Sequence, residues 1–194
     1  MPELYFVARD LCFRELVEDD IPLVARWLSD PLVIEWWHGT SRPFDEAKVH
    51  EHYFVESEGW ATNAIVELHD RPVGFQEWYP LAELSPEDRA KHAALGFDVV
   101  DAFGIDQFVG ASDLHGRGIG TRQVQAVTAW LHDQRAAERV GSAPVVENAR
   151  SIHVLEKAGF HDVGVIPAFD DLDGEMRDCL LMAHARVPQS RCPR

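Results

Sequence analysis

Three glycines, Gly116, Gly118 and Gly120, alternate between an apolar segment over 103–109 and a helical repeat of apolar residues that begins at Val124. This order predicts a strand, a glycine-rich turn and a helix. Glycine lets the backbone approach a ligand closely and turn several N–H groups toward one point. Because the start of a helix also carries unpaired N–H groups and a positive dipole end, the segment predicts an anion site.

Two well-known phosphate-binding loops do not fit this segment. A dinucleotide fingerprint needs glycine at the sixth position counted from Gly116, but Thr121 stands there and antiparallel strands are predicted before it. A nucleoside-triphosphate loop needs Gly-Lys-Ser or Gly-Lys-Thr after a four-residue gap, and no such run occurs. The predicted anion site, to which Arg117 adds a fixed positive charge, is therefore of another kind.

The order of the other patterns predicts the fold class. Antiparallel strands come first, and a β-α-β-α-β-β order follows, so we expect an α/β (α+β) mixed sheet with helices on both faces. This sheet should be mostly antiparallel with a central parallel pair. The predicted strands are 11–16, 61–68, 72–79, 103–109, 139–143, 162–166 and 179–185, and the predicted helices are 21–28, 32–37, 45–57, 85–94, one after Gly120 and one capped by Asn148.

The length of the chain, 194 residues, is usual for one domain. We expect a single domain over 1–194, with its core at about 11–186 and a loose tail over 187–194. The opening residues 1–6 lack the basic and apolar regions of a secretory signal. No stretch reaches the ~18 apolar residues of a membrane span, so a cytoplasmic location is predicted.

The cysteines and histidines lack the spacing of a metal site. Cys12, Cys179 and Cys192 are odd in number and far apart, which fits neither a disulfide framework nor a thiolate zinc site. Among the ten histidines, His50 and His52 would point in different directions on a helix, and no His-Glu-x-x-His occurs. We expect no bound metal.

The charge balance bears on the partners of the chain. Eighteen basic against 33 acidic side chains give a formal net charge of −15. Such a surplus repels phosphate backbones and anionic membrane surfaces, so neither nucleic acid nor a membrane is an expected partner. The surplus serves either solubility alone or the binding of a cationic substrate, and the second use requires carboxylates near a reaction centre.

The glycine segment resembles the acetyl-CoA loop of the GNAT acetyltransferases. That loop follows Gln/Arg-x-x-Gly-x-Gly/Ala, and here it reads His115-Gly-Arg-Gly-Ile-Gly120, with His in the first place. A second segment, Asn148-Ala-Arg-Ser-Ile-His-Val-Leu-Glu-Lys-Ala-Gly-Phe160, resembles the family's segment beside the pantetheine and the thiol. The resemblance implies a single GNAT-type domain that holds acetyl-CoA through Phe108, Val109, His115, Gly116, Arg117, Gly118, Ile119, Gly120, Thr121 and Asn148.

Two more segments resemble the aminoglycoside 6′-N-acetyltransferases, namely Gly104-Ile-Asp-Gln-Phe-Val-Gly110 and Val33-Ile-Glu-Trp-Trp37. This resemblance implies acetyl transfer to a primary amine of a small polycation, first of all the 6′-amine of an aminoglycoside antibiotic, by a monomer or homodimer. Carboxylates and aromatic faces both attract ammonium groups. We expect the substrate to contact Trp36, Trp37, Asp98, Asp106 and Asp171, although adjacent helical residues point apart and one tryptophan should be core.

Asp106 is the candidate for the group that orients the acceptor amine and helps to remove its proton. A backbone N–H near Phe108 would polarise the thioester carbonyl, as the resemblance implies. The alternative for Asp106 is a purely structural ion pair. Further ammonium groups could be bound by carboxylates that could equally be solvated: Asp98, Asp101, Asp170, Asp171 and Asp173.

Two positions depart from the family pattern. Leu155 stands where many members have a tyrosine that protonates the leaving thiolate, and Ala143 stands where relatives often have aspartate before Pro144. His153 could replace the missing donor but is expected to face solvent. The open alternatives are a lysine N-acyltransferase of siderophore type, a ribosomal-protein N-terminal acetyltransferase, and a CoA-binding sensor without turnover.

Overall fold

One eight-stranded sheet organises the residues that the structure, a computed structural model, describes: 2–37, 44–57 and 59–186. Its strand order is β1-β2-β3-β4-β5-β6-β8-β7. The predicted loop over 39–43, the predicted tail over 187–194 and Cys192 lie outside the described residues. The strands are β1 Leu4–Ala8, β2 Leu11–Glu15, β3 Thr62–Leu68, β4 Arg71–Pro80, β5 Ala102–Val109, β6 Arg139–Ser142, β7 His161–Leu172 and β8 Glu175–Ala185.

In the described part of the chain six α-helices cover the sheet, three of them between β2 and β3. They are α1 Ile21–Trp27, α2 Pro31–Ile34, α3 Glu46–His50, α4 Pro86–Ala94, α5 Ile119–Gln134 and α6 Ala149–Ala158. The chain continues from α3 into one π-helical stretch, Glu51–Glu56. In the described part of the chain, no helix is long and apolar enough to cross a membrane.

The mixed sheet with helices on both faces confirms the predicted fold class. β1 to β5 are joined as antiparallel neighbours, and β5 with β6 forms the central parallel pair. The hairpin between β3 and β4 turns on His69 and Asp70, both with positive φ. The spacing did not predict β1, an edge strand in which Leu4 and Val7 are exposed while Phe6 stacks on Phe13 at a ring-centroid distance of 4.3 Å.

Two hydrophobic clusters fill the two sides of the sheet. Along β5, Ile105 packs with the apolar sides of α5 and α6, whereas Phe108 packs with α1, α3 and Phe75 on the other face. This alternation follows from the two-residue period of a strand. Asp106, which shares the face of Phe108, is therefore directed to the side of α1–α3.

Side-chain caps fix where two predicted helices begin. Ser85 accepts a hydrogen bond from the N–H of Asp88 at 3.0 Å, and Asn148 accepts one from the N–H of Ser151 at 3.1 Å. Asp20 precedes α1 but forms no side-chain cap there, because its carboxylate forms a two-pronged ion pair with Arg14 at 2.7 and 2.8 Å. Charge-assisted pairing to a guanidinium is the stronger interaction.

The last two strands are longer than their sequence pattern predicts. Strand β7 runs to Leu172, whereas the alternation in the sequence ends at Ile166. A register shift lies between Ile166 and Asp170, and Ala168 has a φ of 46°. Such a bulge breaks the two-residue period on which strand prediction depends. It also places Asp170 and Asp171 on a strand instead of in a loop.

Candidate active site

A pocket of about 660 Å³ opens where the central parallel pair separates. Strands β5 and β6 are paired through three residue pairs, the last of which is Gly104 with Gly141. Beyond this point β5 continues to Val109, while β6 ends at Ser142, so a gap divides the sheet. The starts of α5 and α6 form one end of the pocket, and carboxylate and aromatic side chains form the other.

The glycine segment supplies backbone donors at the first end. Gly116 and Gly118 have φ values of 73° and 77°, a conformation that side chains rarely adopt. Helix α5 begins directly afterwards, and no described carbonyl accepts a hydrogen bond from the N–H groups of Gly118, Ile119 or Gly120. These donors at the positive end of a helix suit a diphosphate. The side chain of Arg117 is exposed and does not line the pocket.

His115 ties the glycine segment to the end of β5, since its Nε2 lies 2.7 Å from the carbonyl oxygen of Val109. The backbone groups of Val109 therefore face the gap. The carbonyl of Asp106 instead faces β4, where it accepts a hydrogen bond from the side-chain Nε2 of Gln76 at 3.0 Å. Backbone directions alternate along a strand. The amides near Phe108 that face the gap are thus those of Gln107 and Val109.

The start of α6 forms the other wall of this end. The side chain of Asn148 is engaged as the helix cap, and Ser151 in the first turn lines the pocket. Leu155 lies one turn further and is 2% exposed, so the position of the usual tyrosine carries no hydroxyl. His153 borders the pocket but is largely exposed, and its Nδ1 lies 3.7 Å from Oε2 of Glu156. Thr121 of α5 also lines this end.

Both tryptophans of the predicted pair line the pocket. Trp37 packs edge-on against Phe108 and Phe75, with ring centroids 5.0 and 5.7 Å apart, and its indole N–H donates to the Tyr53 hydroxyl at 2.7 Å. Trp36 packs toward Val145 at the far side of the gap. Both side chains are half-buried, so the predicted division into one core and one lining residue is wrong. The short helix α2 ends before them, and the turn that follows orients both inward.

Asp106 lies in the acceptor end of the pocket and accepts a hydrogen bond from the Tyr79 hydroxyl at 2.9 Å. The pKa of the Asp106 carboxyl is raised to about 6, because burial and the charge of Asp170 raise it more than the Tyr79 hydroxyl lowers it. Tyr79 is in turn covered by Trp60, with ring centroids 5.0 Å apart. No basic side chain among the described residues pairs with Asp106, which argues against a purely structural ion pair.

Glu77 faces Asp106 directly, since the two residues are register partners on β4 and β5. It is 8% exposed and lines the same pocket. Burial, together with the charge of Asp106, raises the pKa of the Glu77 carboxyl to about 8. Sequence reasoning missed this residue, although a charged side chain inside the apolar run from Val73 to Trp78 was a signal that could have identified it.

The remaining carboxylates differ from the prediction. Asp170, half-buried on β7, lines the pocket, and burial raises the pKa of its carboxyl. Asp171 is exposed, and its carboxylate accepts the N–H of Gly174 at 2.7 Å in the hairpin turn. Asp98 is also outside the pocket, where it accepts the N–H of Val100 and lies 3.9 Å from Arg139. The structure thus brings Asp170, and neither Asp98 nor Asp171, to the site.

The arrangement can bind an anion at one end and a cation at the other. The donors of the glycine segment and the carboxylates of Glu77, Asp106 and Asp170 border one continuous pocket. Within 2–37, 44–57 and 59–186, no group of three or more His, Cys, Asp or Glu side chains could hold a metal ion. Cys12 and Cys179 are free thiols.

Comparison with known proteins gives matches over most of the chain. A family model described as acetyltransferase (GNAT) domain matches residues 16–168. The aminoglycoside N(6′)-acetyltransferase type 1 of Klebsiella pneumoniae is 27% identical over 159 residues, which are 81% of this chain and 77% of that protein.

Solved structures share the fold. The crystal structure of the aminoglycoside acetyltransferase AAC(6′)-Ib with coenzyme A and kanamycin has a TM-score of 0.75 and 26% identity, and the match covers 91% of this chain and 95% of that one. RimJ of Mycobacterium smegmatis, in complex with a CoA-disulfide, has a TM-score of 0.72 over 93% of this chain and 85% of that one. Its identity is 21%, so this second likeness concerns the fold alone.

Proposed function

This chain belongs to the GNAT acetyltransferase family, and from that premise we propose that it transfers the acetyl group of acetyl-CoA to a primary amine of a small polycation. We further propose the 6′-amine of an aminoglycoside antibiotic as the accepting group. The observation that carries the proposal is one pocket with backbone donors at one end and carboxylates at the other. The similarity to aminoglycoside 6′-N-acetyltransferases supports the choice of acceptor.

The anion end fits coenzyme A. The N–H groups of Gly118, Ile119 and Gly120 would bind its diphosphate, and Gly116 and Gly118 adopt a backbone that keeps this surface free of side chains. The gap between β5 and β6 would admit the pantetheine arm between the two strands. Asn148, as the cap of α6, fixes the helix end that borders this arm. Acetyl-CoA would supply a thioester that an amine can attack directly.

The cation end fits an ammonium group that must lose a proton. If the acceptor has the reference pKa of a lysine, about 10.4, holding it neutral at pH ~7.4 costs about 4 kcal/mol. Asp106 attracts and orients the ammonium group, and its raised pKa of about 6 makes it a stronger base than an ordinary aspartate. Trp36 and Trp37 offer aromatic faces beside it.

The reaction would be a direct attack of the neutral amine on the thioester carbonyl. The amide of Gln107 or Val109, each facing the gap, would donate to the carbonyl oxygen as negative charge develops on it. Leu155 cannot protonate the departing thiolate. A thiol with a reference pKa of about 8.5 is a tolerable leaving group, so solvent can supply that proton.

Steady-state release of free thiol from acetyl-CoA tests the proposal. We expect thiol release with kanamycin as acceptor, together with a product that carries one added acetyl group at the 6′-amine. Release with a hydroxylated lysine derivative and none with kanamycin would instead identify a lysine N-acyltransferase. Binding of coenzyme A with no thiol release for any amine would identify a binding module and contradict the proposal.

A further inference from the structure

Glu77 is a buried acid in the pocket to which the proposed reaction assigns no task. We propose that Glu77 receives the proton of the acceptor ammonium group, while Asp106 remains the ionised partner that anchors this group. The inference rests on the proposed function, because it names a second catalytic residue for that reaction. It is carried by the geometry of the two facing carboxyl groups.

Register pairing places both carboxyl groups on one face of the sheet. Residues directly opposite on antiparallel strands have Cβ atoms about 4.5–5.5 Å apart. Glu77 and Asp106 are such a pair, and both line the pocket. Two carboxyl groups on facing positions in a buried part of a pocket resist joint ionisation, because like charges repel and burial penalises the charged form. The empty site therefore holds one proton between them.

The surroundings decide which of the two keeps this proton. The Asp106 carboxylate accepts a hydrogen bond from the Tyr79 hydroxyl at 2.9 Å, and this bond stabilises the ionised form of Asp106. Among the described residues, none donates a hydrogen bond to the Glu77 carboxylate. Glu77 is also the more buried of the two, and the pKa of about 8 for Glu77 against about 6 for Asp106 agrees with this asymmetry. The proton thus belongs on Glu77.

Among the described residues, no Lys or Arg side chain forms an ion pair with Glu77 or Asp106. Within the same part of the chain, Tyr53, Tyr79 and Asp106 interact electrostatically with Glu77. Asp170 and His52 line the same pocket, and so do two cations of α6, Arg150 and Lys157. The tyrosine and carboxyl groups among them are neutral or negative, and the Nδ1 of His52 lies 3.0 Å from the Glu56 carboxylate. An incoming ammonium group is therefore the charge that allows Glu77 to ionise.

The proton transfer balances as follows. The bound ammonium group gives one proton to ionised Glu77, which becomes the neutral acid, and the nitrogen regains its electron pair. That pair forms the C–N bond as the C–S bond of the thioester breaks. The second N–H proton passes through solvent to the leaving thiolate. Glu77 then returns its proton to solvent when the next ammonium group binds.

The variant Glu77→Gln keeps the shape of the side chain and removes the base. We expect its kcat with kanamycin to fall about 100-fold, the usual size of a lost general base, while the Kd for coenzyme A stays unchanged. In the wild type, the plot of kcat/KM against pH should have a rising limb with a midpoint near pH 8. This limb should be absent in Glu77→Gln. In Asp106→Asn the limb should move to lower pH, because the neighbouring charge that raises the Glu77 pKa is gone.

Two kinetic results with Glu77→Gln would overturn the inference. One is a Glu77→Gln enzyme that keeps at least half of the wild-type kcat. The other is a limb near pH 8 that persists in Glu77→Gln, since such a limb would belong to the acceptor amine. The conservative variant Glu77→Asp should recover part of kcat, and a Glu77→Asp enzyme no better than Glu77→Gln would also count against the inference.

A measurement on the free protein separates this inference from the proposed function. The side-chain carboxyl carbon of Glu77 can be followed by ¹³C NMR and identified by its absence in Glu77→Gln. We expect a titration midpoint near 8 that falls in Asp106→Asn. A midpoint near the ordinary value of about 4.3 would overturn the inference even if thiol is released. Absence of thiol release with every amine would overturn the proposed function whatever the midpoint.

Discussion

The two ends of the pocket are built in different ways. The anion end consists of backbone N–H groups from one short segment, Gly116–Gly120, at the start of α5. The cation end consists of side chains that arrive from separate strands: Glu77 on β4, Asp106 on β5 and Asp170 on β7. A backbone site tolerates many side-chain changes but few changes of glycine. A side-chain site should depend on each carboxylate individually, and the following substitutions test this difference.

The largest effect is expected from Asp106→Asn. The change keeps the side-chain shape and removes the charge that orients the acceptor amine, so turnover should fall by about 100-fold or more. Affinity for coenzyme A, measured by calorimetry, should stay within twofold of the wild type, about 0.4 kcal/mol. Wild-type turnover in this variant would remove Asp106 from the mechanism.

Gly118→Val should act on the other end alone. A valine there places a branched side chain on the surface that receives the diphosphate, and we expect the Kd for coenzyme A to rise about tenfold or more, or about 1.4 kcal/mol. The matched control is Gly96→Val. Gly96 also has a positive φ, 73°, with nothing within 4 Å of an added Cβ, but it lies outside the pocket.

Both glycine variants should lose similar stability, about 1–3 kcal/mol in urea unfolding, because both force a branched residue into the left-handed region. Only Gly118→Val should lose affinity for coenzyme A. Equal affinities in the two variants would show that the glycine segment is a turn and not a ligand site.

Asp170→Asn should raise the KM for a polycationic acceptor about fivefold, or about 1 kcal/mol, because one carboxylate of the cation end becomes neutral. Its control is the neighbouring Asp171→Asn, which changes an exposed carboxylate that accepts a hydrogen bond from the Gly174 N–H outside the pocket. We expect less than a twofold change in KM for that control. The reverse order of effects would restore the sequence-based assignment to Asp171.

Tyr79→Phe should give the smallest effect, and its sign depends on pH. The Tyr79 hydroxyl lowers the pKa of Asp106, so its removal should raise that pKa above about 6. Asp106 in the variant would then stay protonated up to a higher pH than in the wild type. Activity should therefore fall about threefold at pH 6 and change little at pH 9. A loss that is uniform across this range would indicate that Tyr79 has a packing role only.

The same difference between the two ends explains what the sequence could predict. The strand, glycine turn and helix at the anion end were predictable, because these residues are contiguous and glycine spacing reports on backbone conformation directly. The place of Asp106 in the pocket was predictable from the local segment Gly104-Ile-Asp-Gln and its resemblance. The place of Glu77 was not predictable, because it depends on register pairing with Asp106, 29 positions along the chain.

Asp170 shows a second limit. Its place in the pocket depends on the bulge between Ile166 and Asp170, and an unpaired residue in a strand changes which side chain faces inward. The sequence offered three neighbouring aspartates, Asp170, Asp171 and Asp173, with no means to order them. Long helices and antiparallel hairpins were predictable, since their periods of 3.6 and 2 residues persist over several turns or alternations.

A crystal structure with coenzyme A and kanamycin tests the central assignment most directly. We predict that the diphosphate accepts hydrogen bonds from the N–H groups of Gly118, Ile119 and Gly120, and that one amine of kanamycin lies within about 3 Å of Glu77 or Asp106. The sulfur should lie in the gap between β5 and β6, beside that amine. A diphosphate bound away from the start of α5, or an amine that reaches neither carboxylate, would contradict the account.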